Sequence, residues 1–218
     1  MKTSCNAMLS ARIILVRHGE TDWNAAGRIQ GHSDTPLNAV GRIQAQRVAA
    51  RLVQEPVQAI YSSDLARAYE TAVIIDQSLR VGVMTSPALR ERRYGSWEGL
   101  TALEIQGRYP EQFAAWRARS TDFAPPEGET RAQLLTRAVV ELQTIASRHP
   151  GELVVVVTHG GLCYVLLTHI LGSVNGDHRE FSFGNASLHI IEVSGDRWSV
   201  ISLNETAHLQ NEHGSIPR

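Results

Sequence analysis

Three groups of polar residues in this sequence stand where apolar runs end. Arg17, His18 and Gly19 follow RIILV (12–16). Ser62, Ser63 and Asp64, with Arg67 a little further on, follow VQAIY (57–61). His159, Gly160 and Gly161 follow ELVVVVT (152–158). An arginine side chain presents a planar fork of donors that matches phosphate oxygens, and helix N-termini after strands add N–H groups and positive dipole. Histidine can itself become a covalent nucleophile. When a neutral imidazole attacks phosphorus in line, the charge on the equatorial oxygens is what must be neutralised. The set suits phosphoryl transfer, with no metal or other cofactor required. Each piece alone has a plainer reading: Arg67 as a solvated helix arginine, His159 as a residue capping the strand or packing on Thr158. Their placement at three separate strand ends carries the chemical reading.

The elements that must position these residues follow from the pattern between them. The three runs above and VGVMTS (81–86) alternate with helical patterns at 38–54, 63–80 and 130–148. Such alternation argues for a parallel sheet covered by helices, and open parallel sheets bind ligands beyond the carboxyl ends of their strands. Over 38–54 the apolar positions Val40, Ile43, Val48 and Leu52 fall near helical period, with Pro56 beyond the end. Ser63 and Asp64 are expected to cap the helix at 63–80. Near the C-terminus, ASLHIIEV (186–193) and WSVISL (198–203) flank Ser194, Gly195 and Asp196, a hairpin signature that predicts antiparallel pairing at one edge. Residues 95–130 are too long for a short strand-to-helix connection. They hold or border Tyr94, Trp97, Tyr109, Phe113, Trp116 and Phe123, and read as a cap over the site. These aromatics either line that site or pack a small helical subdomain of their own.

A chain of 218 residues fits one α/β domain, here with a disordered lead-in at 1–11 and a tail at 210–218. With 21 basic against 22 acidic residues, it lacks the electrostatic footprint of a nucleic-acid or anionic-membrane binder, so any anion must be held by a local cluster. No run approaches the ~20 apolar residues of a membrane span, and MKTSCNAMLSAR has no continuous apolar h-region of a secretory signal. A cytoplasmic protein acting on a small phosphorylated metabolite is expected, with a homodimer left open. Cys5 and Cys163 form neither a disulfide framework nor a C-x-x-C site. Cys163 follows His159 by four residues, but two candidate ligands do not make a zinc site. The Asn-Ala-Ser at 185–187 matches a glycosylation sequon that a cytoplasmic chain does not use.

Taken in order, LVRHGETDWN (15–24), GRIQGHSDTPLN (27–38), YSSDLARAYETA (61–72), LRERRYGSWEGL (89–100), PPEGET (125–130) and VVTHGG (156–161) resemble the histidine phosphatase superfamily, in its branch with phosphoglycerate mutases and fructose-2,6-bisphosphatase. The resemblance spans roughly residues 12–209. It implies a phosphoglycerate mutase-like, three-layer α/β/α fold and a phosphohistidine mechanism without metal. By motif, His18 is the nucleophile, Arg17, Arg67 and His159 bind and neutralise the phosphoryl group, and Asn24 is a further phosphate contact. Glu91 matches the general acid. A free carboxyl near about 4.3 is mostly ionised at neutral pH, so its surroundings must keep it protonated when it acts as an acid. Two other readings stay open for this region: an ion pair from Glu91 to Arg92 or Arg93, and Glu98 as the working carboxylate. Gln30 and Gly31 fall where family members shape the pocket floor, though Gly31 reads equally as a turn glycine. Arg92, Tyr94 and Gly160 complete the candidate substrate-binding set. Glu20 and Thr21 read as loop supports, and His32, His178 and His208 as surface or structural histidines.

Phosphatase and mutase both pass through phospho-His18 and differ in whether water or a second hydroxyl accepts the phosphoryl group. Family mutases carry a longer insert after the ERRYG-like motif and a C-terminal tail. This chain is short there, and PPEGET resembles the phosphatases, so a phosphomonoesterase is favoured. Glu91, Arg92, Tyr94 and Gly95 match mutase and sugar bisphosphatase wording, which keeps those activities as alternatives. A non-catalytic phospholigand-binding module ranks below them because both His18 and Glu91 are present.

Overall fold

A computed structural model describes residues 10–118, 122–172 and 183–210. The strands are β1 (Ala11–Arg17), β2 (Val57–Ser62), β3 (Val83–Thr85), β4 (Leu153–Thr158), β5 (Leu188–Ser194) and β6 (Arg197–Glu205). They form one six-stranded sheet in the order β3-β2-β4-β1-β5-β6. The pairs β3–β2, β2–β4 and β4–β1 are parallel, whereas β5 runs antiparallel to β1 and β6 antiparallel to β5. The expected hairpin supplies the antiparallel edge. Ala11, expected within the lead-in, is instead the first residue of β1 and is fully buried.

The helices are α1 (Asp22–Ala25), α2 (Ala39–Leu52), α3 (Ala66–Leu79), α4 (Ala102–Arg108), α5 (Pro110–Arg117), α6 (Arg131–Arg148) and α7 (Gly160–Ile170). Strand alternation sorts the core into two halves. Ile13, Leu15, Tyr61, Val154 and Val156 meet Leu142 and Ile145 of α6 and Leu166 and Leu167 of α7. Ile14, Val16, Ile60, Val155 and Val157 meet Val48 and Leu52 of α2 and Ala72 and Ile75 of α3. Both faces of the central strands are therefore covered, which is why they read as unbroken apolar runs rather than alternating ones. The result is three layers, helix on sheet on helix.

Two local expectations need correcting. In α2 the buried face is Gly41, Ala45, Val48, Ala49 and Leu52, while Val40 and Ile43 are exposed. Small residues carry this face because the helix start lies on the loop after β1: a Cβ on Gly41 would run into the Glu20 backbone, and one on Gly19 into the Gly41 backbone. Nor do Ser63 and Asp64 cap α3 as expected. The N-cap is Leu65, without a side-chain cap bond, and the Ala66 N–H is taken by Asp34 from another loop at 2.6 Å. Ser63 Oγ accepts from Leu65 N–H, one residue earlier, and Asp64 forms a two-point ion pair with Arg90.

Residues 95–130 contain a short 3-10 turn (Gly95–Trp97), α4 and α5. Trp97 is fully buried at the hub of an aromatic cluster with Tyr109, Trp116 and Phe123, ring centroids 5.6 to 6.3 Å away. Most of these aromatics form the core of a small subdomain. Trp116 does both jobs, since it also lines the cavity described next.

Candidate active site

Sheet register brings the three sequence groups to one place. Arg17 of β1 lies opposite Thr158 of β4, and Ser62 of β2 opposite Val157, so the residues that follow leave the sheet side by side. His18 N–H donates to Thr158 O and Ser63 N–H to Val157 O. Around this carboxyl edge is a cavity of about 170 Å³ lined by Arg17, His18, Asn24, Arg28, Gln30, Gly31, Arg67, Glu91, Tyr94 and Trp116, among others.

His18 is buried, and its Nδ1 lies 2.7 Å from Gly19 O. A carbonyl oxygen only accepts, so the ring proton is assigned to Nδ1, leaving the lone pair on Nε2. Burial, followed by the positive charges of Arg67 and Arg17, holds the imidazole well below its ordinary value near 6.5. His18 is thus a neutral ring with a free nitrogen at the cavity wall. The Gly41 backbone leaves no room for a Cβ on Gly19, and the Gly19 N–H is fixed by Thr71 Oγ1 at 3.1 Å.

The cationic groups surround that nitrogen. Fully buried Arg67 donates to Ser33 O and Gly31 O, and burial lowers its guanidinium to about 10, still charged at neutral pH. Arg17 donates to Phe183 O. Arg17 Nε, Arg67 Nε and His159 Nδ1 are buried without partners. Buried polar atoms are nearly always hydrogen-bonded, so the two orphaned arginine nitrogens, on residues that line the cavity, mark a polar ligand's place, and tetrahedral oxygens suit them. His159 sits behind His18 with ring centroids 5.1 Å apart and is not among the residues lining the cavity. Ser63 Oγ accepts from Leu65 N–H and lies 2.8 Å from His159 Nε2. A serine hydroxyl can both donate and accept; where Ser63 Oγ–H donates to Nε2, the ring proton is left for Nδ1. Burial, then Arg67, keep His159 neutral too.

The two rival carboxylates separate cleanly. Glu98 accepts from His32 N–H, Tyr94 N–H, Ser33 N–H and Ser33 Oγ–H. Burial opposes its ionisation, but those bonds outweigh it and keep the carboxyl below its ordinary range. Its lone pairs are used in holding the loop, and the same carboxylate is why residue 31 is glycine: at φ +54, a Cβ there would strike it. Glu91 instead lines the cavity and, among the described residues, accepts two backbone N–H groups, from Arg92 at 2.8 Å and Gly161 at 2.9 Å. The ion pair to Arg92 or Arg93 does not form: the Arg92 guanidinium donates to Glu129 O and Phe123 O. Arg137, unremarked in the sequence, donates to Ala88 O, Arg90 O and Glu91 O and pairs with Glu129.

Other candidates fall into place around these. Asn24 lines the cavity with its Oδ1 occupied by Thr21 and Asn185, so its NH₂ remains as a donor. Gln30 lines the wall and accepts from Thr35 Oγ1. Arg92 and Tyr94 line an adjoining cavity of about 380 Å³ with Trp116, Arg117, Arg131, Gly161 and Tyr164. Gly160 lines neither cavity: it gives room to the Arg17 side chain, 3.2 Å from where its Cβ would be, and Gly161 supplies the useful N–H. Glu20 accepts from Asn38 and Thr21 caps α1. His32 and His208 bond to backbone at Glu91 O and Ala186 O; His178 and Cys5 lie outside the described residues. Cys163 is buried, and burial pushes its thiol up to about 12. Among the described residues no group of three His, Cys, Asp or Glu is placed to hold a metal ion. Sequence reasoning missed Arg28, Arg137 and Asn185. Arg28 and Asn185 lay inside quoted stretches, but their bonds to Gly99 and Glu104, and to His18 and Asn24, cross many residues.

Comparison with known proteins places the chain in a family. The chain is 41% identical to phosphoglycerate mutase-like protein 4 of Arabidopsis thaliana, over 92% of this chain and 87% of that protein. It is 40% identical to the metal-independent phosphoserine phosphatase of the same organism, over 91% and 83% respectively. Among solved structures it resembles Bacillus stearothermophilus YhfR, with a TM-score of 0.84 and 34% identity over 92% of this chain and 100% of that one. Residues 13–206 match the histidine phosphatase superfamily (branch 1), and the chain belongs to that family.

Proposed function

We propose that the protein is a metal-independent phosphomonoesterase that hydrolyses a small phosphorylated metabolite through phospho-His18. The observation that carries this reading is the neutral His18 ring, its Nε2 unpaired at a cavity wall where Arg17 and Arg67 keep buried donors unused. In the first step Nε2 attacks phosphorus as the ester P–O bond breaks. Arg17, Arg67 and the Asn24 amide offset the charge on the equatorial oxygens, with His159 packed behind the nucleophile. Glu91 gives its proton to the departing oxygen. The resulting carboxylate then takes a proton from water, whose oxygen attacks the phosphohistidine, returning the electron pair to Nε2 and releasing orthophosphate.

The adjoining cavity, lined by Arg92, Arg117 and Arg131, gives the leaving group room and suits an anionic metabolite. The similarity to a phosphoserine phosphatase supports hydrolysis over isomerisation. Near-balanced charge and the lack, among the described residues, of a helix long and apolar enough to cross a membrane support a cytoplasmic enzyme without nucleic-acid or membrane partners.

The test is a rapid quench with radiolabelled substrate. Alkali-stable, acid-labile label is expected on the protein, with label and turnover both lost in His18→Ala and turnover unchanged in excess chelator. A His18→Ala variant with wild-type turnover would remove His18 as nucleophile. Supplying 3-phosphoglycerate with 2,3-bisphosphoglycerate decides the acceptor: isomerisation outrunning phosphate release would make the enzyme a mutase.

A further inference from the structure

The Asn-Ala-Ser at 185–187 has no part in the chemistry above, yet it lies against the nucleophile loop. Ala186 N–H donates to Arg17 O at 3.0 Å and to His18 O at 3.2 Å, and Arg17 N–H donates to Ser187 O. Ala186 adopts φ +59, a left-handed conformation that is unfavourable for a non-glycine residue and persists where the surroundings dictate it. The adjoining side chain shows what that geometry achieves. Asn185 Nδ2 donates to His18 O (3.1 Å), Gly19 O (3.3 Å) and Asn24 Oδ1 (3.1 Å).

We infer that Asn185 is a positioning residue for phosphoryl transfer, tying the nucleophile backbone to Asn24 and fixing which end of the Asn24 amide faces the phosphate. The inference rests on the phosphohistidine reading above. An asparagine amide presents either an acceptor or two donors, and only the donors help against phosphate oxygens. Asn24 Oδ1 takes three donors: Thr21 N–H at 3.2 Å, Thr21 Oγ1 at 3.1 Å and Asn185 Nδ2. Both bonds from Thr21 come from the residue that caps α1. Asn185 is the one tie among the three that reaches Asn24 from a distant part of the chain and also holds the His18 carbonyl. Asn185 does not line the catalytic cavity, so it acts through Asn24 and His18. Its nitrogen is turned inward onto three acceptors, a use incompatible with a glycan on that same nitrogen.

The experiment is a double-mutant cycle over Asn24 and Asn185, read with p-nitrophenyl phosphate turnover and orthovanadate inhibition. Asn185→Ala is expected to lower kcat/KM by on the order of tenfold in the parent protein, but by only about threefold in an Asn24→Ala background, where the tie to the His18 carbonyl is all that is left to lose. Vanadate affinity should fall along with kcat/KM. Asn185→Asp, which sets a carboxylate against three oxygens, should do more harm than Asn185→Ala. Asn185→Ser, which keeps a shorter donor, serves if the alanine variant folds poorly, and should give an intermediate loss that Asn24→Ala again lessens. Equal losses in both backgrounds, or a lowered Tm with unchanged kcat/KM and vanadate affinity, would overturn the assignment. Failure of the phosphohistidine reading would show separately, as unlabelled parent enzyme.

Discussion

At the residue scale, what distinguishes a working carboxylate here is how many of its lone pairs are already used. Glu98 accepts four hydrogen bonds and is held ionised by them; Glu91 accepts two and faces the cavity. Substitution by glutamine should therefore fail differently at the two positions. Glu91→Gln removes the transferable proton, so hydrolysis of an alkyl phosphate is expected to fall by about 10²- to 10⁴-fold. p-Nitrophenyl phosphate, whose leaving oxygen needs little protonation, should lose far less. Glu98→Gln sets an NH₂ against N–H donors and should cost about 1–3 kcal/mol of stability, while the ratio of the two substrate rates stays near wild type. Steady-state rates on both substrates with a melting curve for each variant check this. A leaving-group effect at Glu98, or none at Glu91, would reverse the assignment.

At the scale of elements, the hairpin edge carries a pH-sensitive link to folding. His189 in β5 is buried, its Nδ1 accepts from Asn204 N–H at 3.0 Å, and its ring packs edge-on against Phe183 at 4.4 Å. Burial lowers its pKa to about 4, so between about 6.5 and about 4 the unfolded chain binds a proton that the folded chain does not. This contribution to stability is complete above the unfolded value and is lost as pH falls toward 4, by up to about 1.4 kcal/mol per pH unit. His18 and His159 push the same way, so the readout is a difference in slope. Urea unfolding at pH 7.5, 6 and 5 should show His189→Gln losing stability less steeply than the parent; parallel slopes would count against the link. Elements of this kind were legible in the sequence wherever burial on both faces forced apolar runs, as at 12–16 and 152–158, and wherever a turn triplet marked the hairpin. The face of α2 was not, because close approach of Gly19 to Gly41 replaces large apolar residues by small ones. The start of α3 was missed because Asp34, from a distant loop, takes the Ala66 N–H. Within the site, Arg17, His18, Arg67 and His159 were readable from strand ends, whereas Arg137 and Asn185 act through bonds to backbone carbonyls that no local pattern announces.

At the scale of the whole molecule, two packing units meet at the cavity. The sheet edge supplies Arg17 and His18, held by register and crossing backbone bonds, and the start of α3 supplies Arg67, held by Gly31 O and Ser33 O. The 95–130 segment supplies Trp116, which is held by the buried Trp97 ring 6.0 Å away in an edge-on arrangement. Binding of the phosphoryl group and of the leaving group should therefore be separable from a site that touches neither. Trp97→Ala removes the hub of the aromatic cluster, and a buried tryptophan truncated in this way costs about 3–5 kcal/mol. Trp116 then loses its backing, so KM for a substrate with a bulky leaving group should rise several-fold. Orthovanadate, which needs only the sheet-edge clamp, should inhibit with an affinity within about twofold of the parent, since distant sites that share no partners act independently. Trp97→Phe keeps a ring in the cluster and should fall between the two. If vanadate affinity drops in step with 1/KM, the cap and the clamp form a single cooperative unit, and leaving-group selection cannot be assigned to the cap alone.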